Sequence, residues 1–260
     1  MPSGSSKLET AASAGSSSQG RTGSVALYRE EGVVLRTIKL GEADRIINIQ
    51  TRERGKVRAV VKGVRKTSSR FGARLEPTSH VSLQLYEGRE LDTVTQAETI
   101  ESFRVIRGDL DRLSRALPLL EAVDAVGQER QADPRLLDML LGALRALERR
   151  ASPMLVPAFL FRLLAHEGLA AEVDVCVSCG RDDELVAFDI GSGGVLCSDC
   201  RRGVTLAAGA LELLRDVLGA RLGAALDADE SAATQELTGL ATRSFEFHIE
   251  RRLRSGHVLS

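Results

Sequence analysis

Hydrophobic and polar residues alternate with a period of two between Tyr28 and about Ile100, which is the pattern of β-strands that bury one face. Turn residues such as Glu87-Gly88 separate the alternating segments. The predicted strands are Gly32–Ile38, Arg45–Thr51, Lys56–Val64, His80–Tyr86 and Arg89–Ile100. Five short strands fit a small closed barrel better than an open sheet, and the oligonucleotide-binding (OB) barrel is the commonest five-stranded form.

From Asp109 onward the period changes to three or four, which indicates amphipathic helices. Two dipeptides, Asp133-Pro134 and Ser152-Pro153, place a capping side chain before a proline at the first helical position. Their apolar faces predict the core of a helical bundle, with a groove for a partner peptide as the alternative. The leucines predicted to share the first helical face are Leu110, Leu113, Leu117 and Leu120.

Two further helices follow near the end of the chain. Thr205 and Ser231 are their predicted caps, and His248 is predicted to be a core histidine with satisfied hydrogen bonds. The predicted helices are Arg135–Arg149, Met154–Gly168, Ala207–Ala225 and a last one from Ser231 to about Arg254.

The cysteines of the chain fall in two pairs: Cys176 and Cys179, then Cys197 and Cys200. The spacing C-x2-C-x17-C-x2-C brings four thiolates around one tetrahedral zinc ion, and Gly180 suits the tight turn of a zinc knuckle. Four thiolates leave no position for water, so the zinc is predicted to be structural. Two disulfides or a redox-active pair are the alternatives. His166 is predicted to be a capping or surface histidine, and Leu185–Ile190 a short strand.

Positive charge is concentrated between Arg45 and Arg74. This stretch holds ten Lys or Arg residues and one acidic residue, a net charge of +9, whereas the whole chain carries −1. Such an asymmetry is typical of a surface that faces a polyanion, although a solvated charged face without a ligand is the alternative. Three glycines, Gly55, Gly63 and Gly72, are predicted to form turns that a phosphate can approach closely.

The sequence lacks the motifs of common enzymes: a Walker A loop, a dinucleotide fingerprint, an H-E-x-x-H helix and a nucleophile elbow. This favours a binding protein over an enzyme. Residues 1–24 are rich in Ser, Gly, Ala and Thr and do not read as a secretory signal, so they are predicted to be a disordered extension of a cytoplasmic protein.

Several segments resemble the RecO family of bacterial DNA repair and recombination mediators. The matching segments are EGVVLRTIKLGEADRIINIQT at Glu31–Thr51, GKVRAVVKGVRKTSSRFGARLEPTS at Gly55–Ser79 and LYEGRELDTVTQAE at Leu85–Glu98, followed by the cysteine ribbon. The resemblance covers residues 26–260. It implies an α+β multidomain protein of the RecF pathway that is cytoplasmic and associated with the bacterial nucleoid.

The resemblance also implies partners and an activity. Members of the family bind single- and double-stranded DNA, anneal complementary strands, and help RecR load RecA onto single strands coated by single-strand DNA-binding protein (SSB). The acidic C-terminal tail of SSB is expected to bind the helical part. The expected units are 1–24 (extension), 25–104 (OB barrel), 105–172 (first helices), 173–204 (four-cysteine zinc ribbon) and 205–260 (C-terminal helices).

Arginine and lysine on a barrel face bind phosphates without reading bases. Phe71 has two interpretations, a platform on which an unpaired base stacks or a plug at the open end of the barrel. An RNA-binding accessory protein of transcription or translation and a nuclease with an unrecognised site are the rival functions. The predicted DNA-contacting residues are Arg54, Lys56, Lys62, Arg65, Lys66, Arg70, Phe71 and Arg74.

Overall fold

The computed structural model describes residues 26–65, 69 and 71–255 of the chain. The predicted extension, residues 1–24, and two of the predicted contact residues, Lys66 and Arg70, lie outside the described residues. Within the described part, a β-barrel is followed by four helices, a small three-stranded sheet and three more helices. No helix there is long and apolar enough to cross a bilayer.

Five strands form the barrel: β1 Leu27–Leu40, β2 Asp44–Thr51, β3 Gly55–Val61, β4 His80–Tyr86 and β5 Asp92–Glu101. The barrel closes in the order β1-β2-β3-β5-β4, with β3 and β5 parallel and every other neighbouring pair antiparallel. The predicted five-stranded OB barrel is therefore confirmed. Alternation along β3 buries Val57, Ala59 and Val61 in the barrel, as the sequence pattern predicts, and leaves Arg58 and Lys62 exposed.

Strand β1 is longer than predicted because it has two partners. Its first half pairs with β4, from Leu27 opposite Tyr86, and its second half pairs with β2, up to Leu40 opposite Asp44. The register shifts just after Val34, and a bulge of this kind bends a strand and increases its twist. The bend carries β1 from one partner to the other and closes the barrel.

Seven helices follow within the described residues: α1 Arg104–Gly108, α2 Leu110–Val126, α3 Pro134–Arg149, α4 Leu155–His166, α5 Ala210–Leu218, α6 Leu222–Leu226 and α7 Ala232–Ile249. Their apolar faces form one core that also includes Val33 and Leu35 of β1. The prediction of a helical bundle core is thus confirmed, with the barrel attached directly to it.

The buried face of α2 matches the predicted one only in part: Leu120 is buried as predicted. Leu110 is 82% exposed and Leu117 is 37% exposed, whereas Leu119 and Val123 are fully buried. Both sets of residues fit a period of 3.6, so the sequence alone does not choose between them. Packing determines which face is buried, because α3, α4 and β1 contact the face of α2 that carries Leu119, Val123 and the small Ala116.

The predicted helix starts meet three outcomes. Asp133 caps α3 as predicted, because its side chain accepts a hydrogen bond from the Leu136 N–H at 3.0 Å. Ser152 accepts a hydrogen bond from the Met154 N–H, but α4 begins only at Leu155. The prediction for Thr205 is wrong: it pairs with β6 as part of β8, and α5 begins five residues later.

The C-terminal helices are shorter than predicted. The helix expected to run to Ala225 ends at Gly219, which separates α5 from α6. Ser231 caps α7 in a reciprocal capping box with Thr234, as its position predicts, but α7 ends at Ile249. His248 is only half-buried, with its ring edge-on to the exposed Phe247, so its prediction as a core histidine is wrong.

A small sheet of β6 Leu185–Asp189, β7 Gly194–Cys197 and β8 Val204–Thr205 lies between α4 and α5 in the chain. Its order is β7-β6-β8. Phe188 of β6 belongs to the helical core and packs edge-on against Phe161 of α4, with ring centroids 6.3 Å apart. The sheet is therefore packed on the helices and is not an isolated appendage.

The β2–β3 turn is clamped against the connection between α2 and α3. Gly55 has φ +62, and a Cβ atom at this position would lie 1.8 Å from the carbonyl oxygen of Gln131. The Lys56 N–H also donates to the Gln128 carbonyl at 2.9 Å. The prediction that a phosphate approaches Gly55 is therefore wrong, because protein backbone already occupies that space.

An ion network also joins the barrel to the helices. Both ring nitrogens of the buried His80 lie 3.0 Å from carboxylates, Nδ1 from Glu101 and Nε2 from Glu31. Arg145 of α3 donates to Glu101, and Arg52 donates to Glu31. The hydrogen bonds from Arg145 and then His80 lower the pKa of Glu101, against the opposing effect of burial. The network holds the start of β4 and the end of β5 against α3.

Candidate nucleic-acid interface and metal centre

Several of the basic residues between Arg45 and Arg74 are neutralised by acidic residues that are distant in the sequence. Arg45 pairs with Glu76 at 2.7 Å. Arg52 pairs with Asp138 of α3 at 3.0 Å. The charge of +9 counted along the sequence is therefore reduced on the folded surface.

Arg54, a predicted contact, lies on the ring of Tyr28, with 3.9 Å between its guanidinium carbon and the ring centroid. It also lies 3.6 Å from Glu87 and 3.9 Å from Glu30. Burial and a hydrogen bond to Asp92 raise the pKa of Tyr28, so the ring carries no charge at neutral pH. Arg54 is held by this cluster, and its two carboxylate neighbours offset its attraction for a phosphate.

Lys56 lies at the junction between the barrel and the helices. Its side chain is 13% exposed, and its Nζ donates to the Asp124 carbonyl oxygen at 2.7 Å. Burial lowers the pKa of Lys56, and the Asp124 carboxylate, 3.8 Å away, opposes that shift. The ammonium group of Lys56 is directed into the protein, which argues against the predicted DNA contact.

Lys62 and Arg65 are exposed beside the β1–β2 turn. The backbone N–H of Arg65 donates to the Ala43 carbonyl at 3.0 Å, and its guanidinium donates to the Gly41 carbonyl at 3.2 Å. Both of these partners of Arg65 are backbone carbonyl groups, so its side chain is positioned without an ion pair to a carboxylate of the described residues. Lys62 has no ion pair or hydrogen bond with the described part of the chain.

Arg58 is an exposed cation that the predicted contact set omits. It lies on the outer face of β3, two residues before Val60 and four before Lys62. Among residues 26–65, 69 and 71–255, no acidic side chain forms an ion pair with the Arg58 guanidinium. The alternation of β3 carries the signal that identifies it, because every second residue of that strand faces outward.

Phe71 is 3% exposed and packs with Leu75 in the core of the barrel. Of its two interpretations, the structure agrees with the plug and not with the stacking platform. Arg74, in a 3-10 turn at Gly72–Leu75, is exposed and lines a cleft with Arg104 and Arg107 of α1. Arg104 and Arg107 lie outside the basic stretch between Arg45 and Arg74, and the predicted set of DNA-contacting residues does not include them.

The four cysteines converge as their spacing predicts. Their sulfur atoms all lie within 4.8 Å of one another, and those of Cys179 and Cys197 are 3.7 Å apart. Tetrahedral zinc with Zn–S bonds of about 2.3 Å separates its sulfur ligands by roughly 3.8 Å. The four side chains therefore fit a tetrahedral metal ion.

The backbone of the ribbon favours thiolates. Gly180, at φ +78, donates its N–H to the Cys176 carbonyl at 2.8 Å, which closes the predicted knuckle turn. Burial opposes ionisation of the Cys176 thiol, but backbone N–H groups of Cys197, Ser178 and Cys179 outweigh it and lower its pKa. A thiolate is the form that binds a metal ion. His166 is not among the ligands; its Nε2 lies 2.7 Å from the Asp133 carboxylate at the start of α3.

A pocket of about 330 Å³ opens among α3, α4 and α6. Two arginines, Arg149 and Arg162, also line it. Arg162 donates to the Val217 carbonyl at 3.1 Å, whereas Arg149 is exposed and has no ion pair within the described residues. The apolar side chains of the pocket are Met139, Ala143, Ala146, Leu155, Ala158, Phe159, Leu222 and Leu226.

Two protein-family models match the chain. "Recombination protein O N terminal" matches residues 25–103, and "Recombination protein O C terminal" matches residues 107–257. The chain is 44% identical over 235 residues to the DNA repair protein RecO of Frankia casuarinae, covering 88% of this chain and 96% of that relative. It is 43% identical over 239 residues to the DNA repair protein RecO of a Nocardioides species, covering 88% and 97%.

Proposed function

Because the chain belongs to the RecO family of DNA repair proteins, we propose that it is a non-catalytic factor that binds DNA and anneals complementary strands. It works with RecR in the RecF pathway of bacterial recombinational repair, in the cytoplasm and on the nucleoid. There it helps load RecA onto single strands coated by SSB. The observation that supports this proposal best is the group of exposed cations on the closed barrel: Arg58, Lys62 and Arg65.

Phosphate contacts of these cations account for binding without sequence specificity. Lysine and arginine displace counterions from the nucleic-acid backbone, which gives affinity that depends on salt and not on the base sequence. Annealing requires no nucleotide hydrolysis, since a cationic surface that binds two strands lowers the repulsion between their phosphates. The proposed contact set also includes Lys66, Arg70 and Arg74. Arg54 makes a smaller contribution to it.

Zinc is the metal we assign to the four cysteines. Four thiolates at tetrahedral distances suit a structural zinc ion, and no fourth-ligand position stays open for catalysis. The ion would fix the two knuckles that carry β6 and β7, and its role would be to stabilise the fold.

The proposal is tested by annealing of two complementary oligonucleotides coated with SSB. The purified chain is expected to speed duplex formation without ATP, and to bind a DNA strand at least as tightly as an RNA strand of the same sequence. A clear preference for RNA, or no acceleration of annealing, would refute it. The rival function, an RNA-binding accessory protein, is not supported by the family matches or by the relatives.

The pocket among α3, α4 and α6 suits the acidic C-terminal tail of SSB. Its apolar lining can bury an apolar side chain of a peptide, and the exposed guanidinium of Arg149 can pair with a carboxylate of an acidic tail. The helical location agrees with what the resemblance to the family implies. We therefore place the SSB tail in this pocket as part of the proposed function.

Arg149→Glu is expected to weaken binding of a labelled SSB tail peptide by roughly 10-fold or more, since a hydrogen bond to a charged group contributes about 1.5–3 kcal/mol. Fluorescence anisotropy of the peptide measures the change. Arg135→Glu is the matched control, because Arg135 is an exposed arginine at the other end of the same helix. Equal loss in both variants would remove the pocket from the proposal.

A further inference from the structure

A cleft of about 530 Å³ lies where the barrel meets α1, and it is lined by cations and hydroxyl groups. The described residues that line it include three arginines and no acidic residue. Two of these arginines, Arg104 and Arg107, come from α1, and the third, Arg74, comes from the 3-10 turn after β3. The hydroxyl groups come from Ser69, Ser79, Thr99 and Ser102.

The two arginines of α1 are held in place by the body of the protein. Ile106 is fully buried, and the Glu148 carboxylate of α3 accepts hydrogen bonds from the Val105 and Ile106 N–H groups at 3.1 and 3.0 Å. Arg104 and Arg107 are three residues apart, so they lie on one face of the helix. Arg107 also donates to the Ser79 hydroxyl at 3.2 Å. The backbone of α1 and the Arg107 side chain are therefore positioned before any ligand arrives.

Two acidic residues next to the lining segments, Glu76 and Glu101, have partners outside the cleft. Glu76 pairs with Arg45 at 2.7 Å. Glu101 accepts hydrogen bonds from Arg145 and lies 3.0 Å from a ring nitrogen of His80. Both carboxylates therefore have cationic partners outside the lining of the cleft.

Guanidinium and hydroxyl groups together are the side chains that contact phosphate oxygens in nucleic-acid complexes. The cleft is open to solvent and does not enclose its ligand, so a strand that continues beyond it can be accommodated. Gly72 also lines it, and no atom of the described residues lies within 4 Å of the place where its Cβ would stand, so a ligand can approach this backbone closely as far as those residues are concerned.

We infer that this cleft binds phosphodiester groups of a single DNA strand, and that Arg104 and Arg107 extend the interface from the barrel onto the first helix. The inference rests on the proposed function, which supplies the strand. It adds two contact residues from outside the basic stretch, and it places Arg74 on the strand's path.

The test is the salt dependence of binding to a labelled oligodeoxythymidine, measured by anisotropy on the full chain. Arg104→Gln is expected to reduce the log–log salt slope by about 0.7, the value for one lost phosphate contact on a single strand, and Arg104→Glu to weaken binding by roughly 10-fold or more at about 0.1 M salt. Arg104→Lys should retain most of the affinity. Arg243→Glu, an exposed arginine of α7, is the matched control and should change affinity less than about 2-fold.

Three outcomes would overturn the inference. If the wild-type chain binds and anneals DNA while Arg104→Glu behaves like the control, the cleft is not part of the interface, and the proposed function stands. If Arg104→Glu keeps the affinity for the strand and loses only a thermal stabilisation of the wild-type chain by potassium phosphate, measured against potassium chloride of equal ionic strength, the cleft binds free phosphate instead. If the wild-type chain binds no DNA, the proposed function fails and the inference fails with it. Circular dichroism of each variant confirms that the fold is retained.

Discussion

Replacement of Cys197 by serine is expected to abolish metal binding and to lower the thermal stability of the whole chain. Cys197 is fully buried at the end of β7, and its sulfur lies 3.7 Å from that of Cys179. A structural zinc ion contributes apparent free energies of about 10–16 kcal/mol to small zinc domains. Domains are stable by only about 5–15 kcal/mol, so loss of the ion is a large effect.

The effect should reach the helices because the ribbon shares their core. Phe188 and Val195, on β6 and β7, are buried among helical side chains, and Phe188 contacts Phe161 of α4. Unfolding of the knuckles would withdraw both side chains and expose that face of α4. A loss of about 5 kcal/mol lowers the melting temperature of a chain of this size by roughly 10–20 °C.

The measurement pairs zinc content with thermal unfolding. The wild-type chain should carry about one zinc ion per chain and Cys197→Ser close to none. Ser198→Ala is the control: this neighbouring side chain is exposed, and it loses only a hydrogen bond to Glu184. If zinc-free wild-type protein has the same melting temperature as zinc-loaded wild-type protein, the cysteines do not hold a structural ion.

The parts of this protein that sequence predicts well are those determined by neighbouring residues. The alternation of β3 gives its buried face, and the spacing of two knuckles gives the cysteine cluster, because the groups concerned are brought together by local turns. Asp133 caps α3 for the same reason, since its partner lies only three residues away. In each case the local pattern leaves one arrangement that satisfies it.

The candidate interface was less predictable because its electrostatics depend on distant parts of the chain. The ion-pair partner of Lys56 is Asp124, on α2. The ion-pair partner of Arg45 is Glu76, which follows the basic stretch that ends at Arg74. No window of the sequence reveals that these cations are neutralised. Arg104 is the opposite case, since it lies outside the stretch from Arg45 to Arg74 and lines a cleft with Arg74 only in the folded chain. Counting charges along the chain therefore overestimated the positive charge of the barrel surface and missed the cationic cleft beside α1.

Charge reversal of Lys62 and Arg65, which follow β3 and lie beside the β1–β2 turn, is expected to have the largest effect on DNA binding. Lys62 and Arg65 are exposed there, and Lys62 has no partner in the described part of the chain. Each phosphate contact on a single strand contributes about 0.7 to the log–log salt slope, which is roughly 5-fold in affinity at about 0.1 M salt. Loss of two contacts should cost about 25-fold, and the double variant Lys62→Glu/Arg65→Glu should cost more because each glutamate repels the strand.

The slope separates this effect from a general loss of structure. It should fall by about 1.4 in the double variant, and the addition of Lys66→Glu should lower it further. The fold should be retained, since the changed side chains are exposed and the largest loss is the hydrogen bond from Arg65 to Gly41, about 0.5–1.5 kcal/mol. Arg135→Glu/Arg243→Glu makes the same change of net charge on α3 and α7, so it controls for the overall field of the protein. If both double variants lose the same affinity and the same slope, net charge and not a local surface governs binding, and the barrel is not the interface.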